Sequence, residues 1–227
     1  MNRISKALLV FLLTLLSFAS LVSISQATMP GANGKIITTG LTVESTDDSP
    51  IIRQGLYTMN PNATSWQQLR SGQVEYRPGY TPNAATAIWS EKNSGVYNLW
   101  TKNMDGTGSA SFKTIFPSTG KNYPEGAVSP SYSPSGNKIL FFSNFADNLL
   151  WQIYTMNPDS TGLTQLTNID AGAVDPDWSP DGSKIVFSNA HDHGAFFTNL
   201  YTMNPDGTGK TLLFDQGAAT SLTGASY

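Results

Sequence analysis

Cysteine is absent from the 227 residues. That excludes disulfides, thiolate metal sites, a cysteine nucleophile and a lipid-modified N-terminal cysteine. Charge is scarce, at 13% of residues. The formal net charge is −3, and about −5 once Arg3 and Lys6 are set aside. No cluster of Lys or Arg occurs, so the basic footprint that nucleic acid demands is missing. Only two histidines are present. No Gly-x-Ser-x-Gly elbow and no phosphate-binding glycine loop after a strand can be found. Beyond the N-terminal leader, no segment is apolar enough to cross a bilayer as a helix.

What is present points to many short strands joined by turns. Gly (20) and Pro (13) are plentiful, aromatics make up 11% and hydrophobic residues 39%. The first 27 residues have the make-up of a secretory signal. Arg3 and Lys6 precede an apolar run over 7–22, and Ser25-Gln26-Ala27 offers small residues where a signal peptidase reads. That run is shorter than the ~20 residues of a spanning helix. Membrane contact is therefore expected only through this segment, if it stays uncleaved.

Tyr-Thr-Met-Asn-Pro occurs at 57–61, 154–158 and 201–205, with a degenerate copy at 100–106. The anchors at 57, 100, 154 and 201 are 43, 54 and 47 residues apart. Propeller blades of the WD type run roughly 40–45 residues with four strands each. The full unit reads Trp178-Ser179-Pro180-Asp181-Gly182-Ser183-Lys184-Ile185-Val186-Phe187, then Leu200-Tyr201-Thr202-Met203-Asn204-Pro205-Asp206-Gly207. Pro-Asp-Gly makes a turn: Pro presets φ, and Gly takes the conformation that a Cβ disfavours. The 184–187 run, apolar and bounded by turn residues, reads as a buried inner strand. Trp178 and Tyr132 are expected to wedge between neighbouring sheets.

The predicted fold class is all-β, a β-propeller of four-stranded antiparallel blades. Four blades are expected over 30–72, 76–118, 128–170 and 174–216. A further repeat is expected to start at 225–227, because Tyr227 follows Trp178 at nearly the blade period. The chain is therefore read as an incomplete propeller, whose open edges risk association.

These strings resemble the β-propeller repeat of the TolB family, over residues 30–227. The resemblance implies a propeller that works outside the cytoplasm as a protein-interaction hub. In that family the propeller follows an N-terminal α/β domain, for which residues 28–33 leave no room, so functions of that domain are not carried over.

Candidate sites are few. His191, Asp192 and His193 lie in one predicted loop, read either as a metal site or as a solvated loop between the first two strands of the last blade. Asp175 and Asp177 flank Pro176 and are candidates for a calcium site at a central channel, or for turn and strand-end roles. No cofactor and no catalytic residue is expected from the residues themselves.

The variable stretches at 42–54, 91–97, 144–151 and 189–198 form the expected contact face for a protein partner. Tyr97, Phe145, Trp151, Phe196 and Phe197 are its anchors. The alternatives are an N-terminal fragment of a propeller-bearing hydrolase or carbohydrate-active enzyme, and a sugar-binding propeller. For the last, Trp66, Trp89 and Trp151 are the stacking candidates, with core packing favoured for Trp89. The expected compartment is the periplasm or the exterior. Mass spectrometry of the exported protein should find an N-terminus at Thr28; a start before residue 20 would show an uncleaved leader.

Overall fold

A computed structural model describes residues 36–46, 49–62, 64–71, 75–93, 95–108, 110–111, 125–144, 150–189 and 199–214. Among them every regular element is a strand. None is a helix long and apolar enough to cross a membrane.

The strands group into repeated units. The first holds β1 (Ile36–Thr46), β2 (Ser49–Met59) and β3 (Gln67–Ser71) in one antiparallel sheet. The second holds β4 (Glu75–Tyr80), β5 (Thr86–Asn93), β6 (Val96–Asn103) and β7 (Ala110–Ser111). The third holds β8 (Glu125–Tyr132), β9 (Ile139–Ser143), β10 (Gln152–Met156) and β11 (Thr164–Gln165). The fourth holds β12 (Ala173–Trp178), β13 (Ile185–Asn189), β14 (Leu200–Met203) and β15 (Thr211–Phe214). Within each unit, sequence neighbours pair antiparallel. The second and third are joined by a short parallel bridge, Val96 to Glu125 and Tyr97 to Gly126. At this bridge a Cβ on Gly126 would collide with the Tyr97 backbone, and φ there is 119°. Only glycine permits so close an approach.

The apolar residues lie between blades rather than within one layer. Ile37, Leu56 and Leu69 of the first meet Ala87, Trp89 and Met104 of the second. Ile88 and Leu99 meet Ile139, Phe141, Tyr154 and Met156 of the third. Leu140, Phe142, Ile153 and Leu166 then meet Trp178, Ile185, Phe187 and Met203 of the fourth. Both faces of β9 and β10 are thus covered, so these strands are buried at every position, as β13 is too. This explains their unbroken apolar runs, which alternation would have interrupted had one face met water. Tyr154 stacks on Phe141, and Tyr201 on Phe187, at matching places in successive blades. Trp178 sits between sheets as its size suggested.

The repeated turn motif has a local cause. The Asp159 carboxylate accepts from the Thr161 hydroxyl (2.6 Å) and backbone N–H (3.0 Å). Asp105 with Thr107 and Asp206 with Thr208 repeat this. Asn157 donates to Thr161 and accepts from Lys138, while Asn204 donates to Thr208 and accepts from Lys184. The Asn of Met-Asn-Pro therefore ties the outer turn to the inner turn of the same blade. Neighbouring inner turns also touch: a Cβ on Gly136 or Gly182 would lie 3.4 Å from Pro82 or Pro134 of the preceding blade.

One assignment changes. The 184–187 run is the second strand of its blade, because β12 pairs ahead of it. Ala-Val-Asp-Pro-Asp-Trp hides a strand from sequence reading, since proline cannot donate to a ladder. It is tolerated here because it sits at a bulge. The segment holding His191 accordingly connects the second and third strands, not the first and second.

Ile153→Ala should cost about 2–5 kcal/mol, the usual penalty for a buried aliphatic cavity. Leu163→Ala, at an exposed position, should change stability by only about 0.5 kcal/mol. Urea unfolding of the two variants checks both.

Candidate functional site

The first strands of the second, third and fourth blades each carry an irregularity: one extra residue in the third and fourth, two in the second. Register shifts fall between Glu75 and Gly79, Val128 and Ser131, and Val174 and Asp177. At the centre of each lies a residue followed by proline: Arg77-Pro78, Ser129-Pro130 and Asp175-Pro176. Ser129 and Asp175 both have φ of 49°. Such left-handed backbone costs roughly 1–3 kcal/mol for a non-glycine residue and persists only where the surroundings impose it. Bulges re-aim side chains out of the pleat. The three prolines are buried.

The first strands also approach one another. β4 contacts β8, and β8 contacts β12. The Arg77 guanidinium lies 3.8 Å from the Asp175 carboxylate, both partly exposed. This pair links the second blade to the fourth and passes over the third, where Ser129 holds the matching position. A cation and a carboxylate thus meet at the hub on first strands that each carry a register shift beside a buried proline.

The two predicted calcium ligands separate. Asp175 faces Arg77, whereas the Asp177 carboxylate accepts from the Trp178 backbone N–H at 2.9 Å. Among the described residues no group of three or more His, Cys, Asp and Glu is placed to hold a metal ion. His191, Asp192, His193, Phe145, Phe196 and Phe197 lie outside the described residues.

Tyr97 was expected to be exposed. It is buried in the core with Val128 and Leu140, because the bridge to Gly126 draws it between blades. Trp151 is half-buried at the edge of the same core, edge-on to Phe142 at 5.2 Å. Trp89 is fully buried, its indole N–H donating to Glu91. Trp66 is exposed and meets Tyr57 edge-on at 6.5 Å.

Sequence reading missed Arg77. A signal did exist: Pro, any residue, an aromatic, Ser or Thr, then Pro recurs at 78–82, 130–134 and 176–180. Arg77 and Pro78 fall within the expected second blade, 76–118, but the recurrence of this string across the blades was not read. The clamp between the first and second blades was missed as well. There Arg70 donates from Nε to Glu91 at 3.0 Å and from Nη2 to the other carboxylate oxygen. The Glu91 hydrogen bond raises the Arg70 pKa further.

No protein-family model matches the chain, and no curated protein matches its sequence. Solved structures do resemble it. A TolB-type protein from Agrobacterium tumefaciens superposes with a TM-score of 0.63 at 18% identity, over 80% of this chain and 61% of that one. TolB from Acinetobacter baumannii gives 0.59 at 13% identity, over 78% and 40%. The fold is a TolB-like β-propeller. An oligogalacturonate lyase in complex with manganese gives 0.55 at 19% identity, over 78% and 49%. Identities this low speak for the fold alone. The chain spans less than two thirds of each of these relatives.

The carboxylates on the turns of the TolB-like blades serve the fold. Asp181 accepts from the Ser179 hydroxyl (2.6 Å) and from the Ser183 N–H and hydroxyl, which lowers its pKa to about 2. The Thr161 and Thr208 hydroxyls, then their N–H groups, lower Asp159 and Asp206 likewise. These groups bind protons more weakly when folded. Their contribution is present above the unfolded value of 3.8 and is lost as pH falls through the folded one. The melting temperature should therefore fall between about pH 4 and pH 2. Asp181→Asn should flatten that fall in melts recorded across this range; an unchanged slope would remove Asp181 from the account.

Proposed function

We propose that the chain is an exported, non-catalytic β-propeller that serves as a protein-interaction scaffold. The hub carries this reading. Irregular first strands present Arg77, Ser129 and Asp175 ahead of a buried proline in three successive blades, so one sequence position displays different side chains. Rigid repeats with variable projecting residues suit recognition. The described turn carboxylates are taken up by neighbouring hydroxyls and N–H groups, which leaves them with structural work. Export to the periplasm or the exterior rests on the leader pattern of residues 1–27.

A second reading is a carbohydrate-active propeller. The likeness to an oligogalacturonate lyase favours it, as does exposed Trp66 beside Tyr57, a pairing suited to stacking on a sugar ring.

A charge exchange separates the two. Arg77→Asp combined with Asp175→Arg keeps the ion pair but inverts the surface shown to a partner. In-cell cross-linking and affinity purification should recover a specific envelope protein with the original chain and far less of it with the exchanged one, at equal expression. Equal recovery would dismiss the hub as the contact. Turnover of oligogalacturonate by the purified chain would establish the second reading instead.

A further inference from the structure

The outer turn leads into the outermost strand of each blade, and its backbone recurs. The N–H of Asn60, Asn103, Asn157 or Asn204 donates to the carbonyl of the Thr four residues on, at 2.8–3.2 Å. The residue after that Thr is left-handed in every copy. Its φ is 56° at Ser65, 61° at Gly108, 63° at Gly162 and 61° at Gly209.

On this constant backbone the first blade changes its side chains. Asn62 stands where the others have Asp105, Asp159 and Asp206. Ser65 stands where they have glycine, and Trp66 where they have Ser109, Leu163 and Lys210. All three changed residues are exposed, Trp66 at 46%. The serine is costly, because left-handed backbone disfavours a Cβ. A Cβ at Gly162 or Gly209 would lie 2.9 or 2.8 Å from the Nδ2 of Asn157 or Asn204. In the first blade that Cβ is present. The matching Asn60–Thr64 side-chain bond is 3.3 Å long, against 2.9–3.0 Å in the other three turns. Blade stacking does not ask for this strain, since the other turns do without it. Strain kept in place is a pointer to function.

The chemistry around the indole is uniform. Residues 60–69 contain no charge. Tyr57 meets Trp66 edge-on, and the Tyr57 hydroxyl accepts from Gln68 at 3.0 Å. The Asn62 Oδ1 accepts from the Thr64 hydroxyl and N–H, which leaves its Nδ2 without a partner among the described residues. An apolar ring beside neutral amides and hydroxyls fits a sugar. The C–H face of a pyranose lies on an indole, and its hydroxyls bond to amides. A protein hot spot sits in a well-packed, desolvated pocket, whereas Trp66 stands on a polar turn. A uronate or phosphate would seek a cation, and the turn has none.

We infer that the outer turn of the first blade is a binding site for a neutral glycan, with Trp66 as the stacking platform and Asn62 and Ser65 as its hydrogen-bonding flanks. The inference rests on the carbohydrate reading above, but it needs binding only and no turnover.

Calorimetric titration of the exported chain tests it, with neutral hexasaccharides of the glucan, mannan, xylan and chitin types and with oligogalacturonate. At least one neutral sugar should bind saturably and shift the tryptophan emission. Oligogalacturonate should bind about tenfold more weakly, because its carboxylates lose water and gain no cation. Trp66→Ala should abolish the heat, and Trp66→Phe, which keeps a ring in place, should restore part of it. Asn62→Asp installs the residue of the other blades and should weaken binding by about tenfold, the worth of one hydrogen bond. Ser65→Gly should raise the melting temperature yet weaken binding, whereas a turn shaped for the fold alone would gain stability at no loss. No heat with any neutral sugar, full binding by Trp66→Ala, or a preference for oligogalacturonate overturns the proposal. So does a protein partner, in place of a sugar, that is lost with Trp66→Ala. The same samples are assayed for sugar cleavage. Cleavage that survives Trp66→Ala would uphold the carbohydrate reading and sink this site. Binding without cleavage would uphold the site and remove the enzyme from that reading.

Discussion

Apolar contact between successive sheets is the interaction on which the rest of the structure depends. A four-stranded sheet with two apolar faces cannot be stable alone, because either face left in water forfeits its burial. Here each described interface is filled from both sides: Trp89 and Met104 cover Leu69, and Ile185 and Met203 join Leu166. The turns serve this stacking. Pro82 and Pro134 pack close to glycines of the following blade, and Lys-to-Asn bonds tie inner turn to outer turn. Tyr-Thr-Met-Asn-Pro is thus one strand and one turn of a stacking unit, with Tyr and Met inside and Asn holding the corner.

Much of this was legible in the sequence. The aromatic anchors, the Pro-Asp-Gly turns and the buried runs at 139–143 and 185–189 announced both the strands and their repetition. The innermost strands were harder to read. Val128-Ser129-Pro130 and Val174-Asp175-Pro176 have proline where a ladder needs a donor, so local rules describe them as turns. Their strand character comes from neighbouring first strands that crowd the hub, a tertiary cause that no short window contains. Arg77 was hidden for the same reason. Tyr97 misled in the opposite direction. It follows a predicted loop and looked available, but the bridge at Gly126 draws it inside.

The hub and the rim use the repeat differently. At the hub the residue before a buried proline changes from blade to blade, so Arg77 and Asp175 can join blades that are not neighbours. At the rim the side-chain pattern is polar in two blades and turns apolar in β15. Both are departures from the repeat, and departures mark positions that stacking alone does not dictate. The stacking core meanwhile tolerates variation in kind, since Ala87, Ile139 and Ile185 occupy matching places of different volume.

Native-state hydrogen exchange tests the stacking account most directly. If contact between blades holds the chain together, amides of β9, β10 and β13 should exchange only through one shared, cooperative opening. Those of β11 and β15 should exchange much faster, because outer strands contribute little to the interfaces. Separate opening energies for β9 and β13, with no common limit, would show that each blade stands alone and would contradict the account.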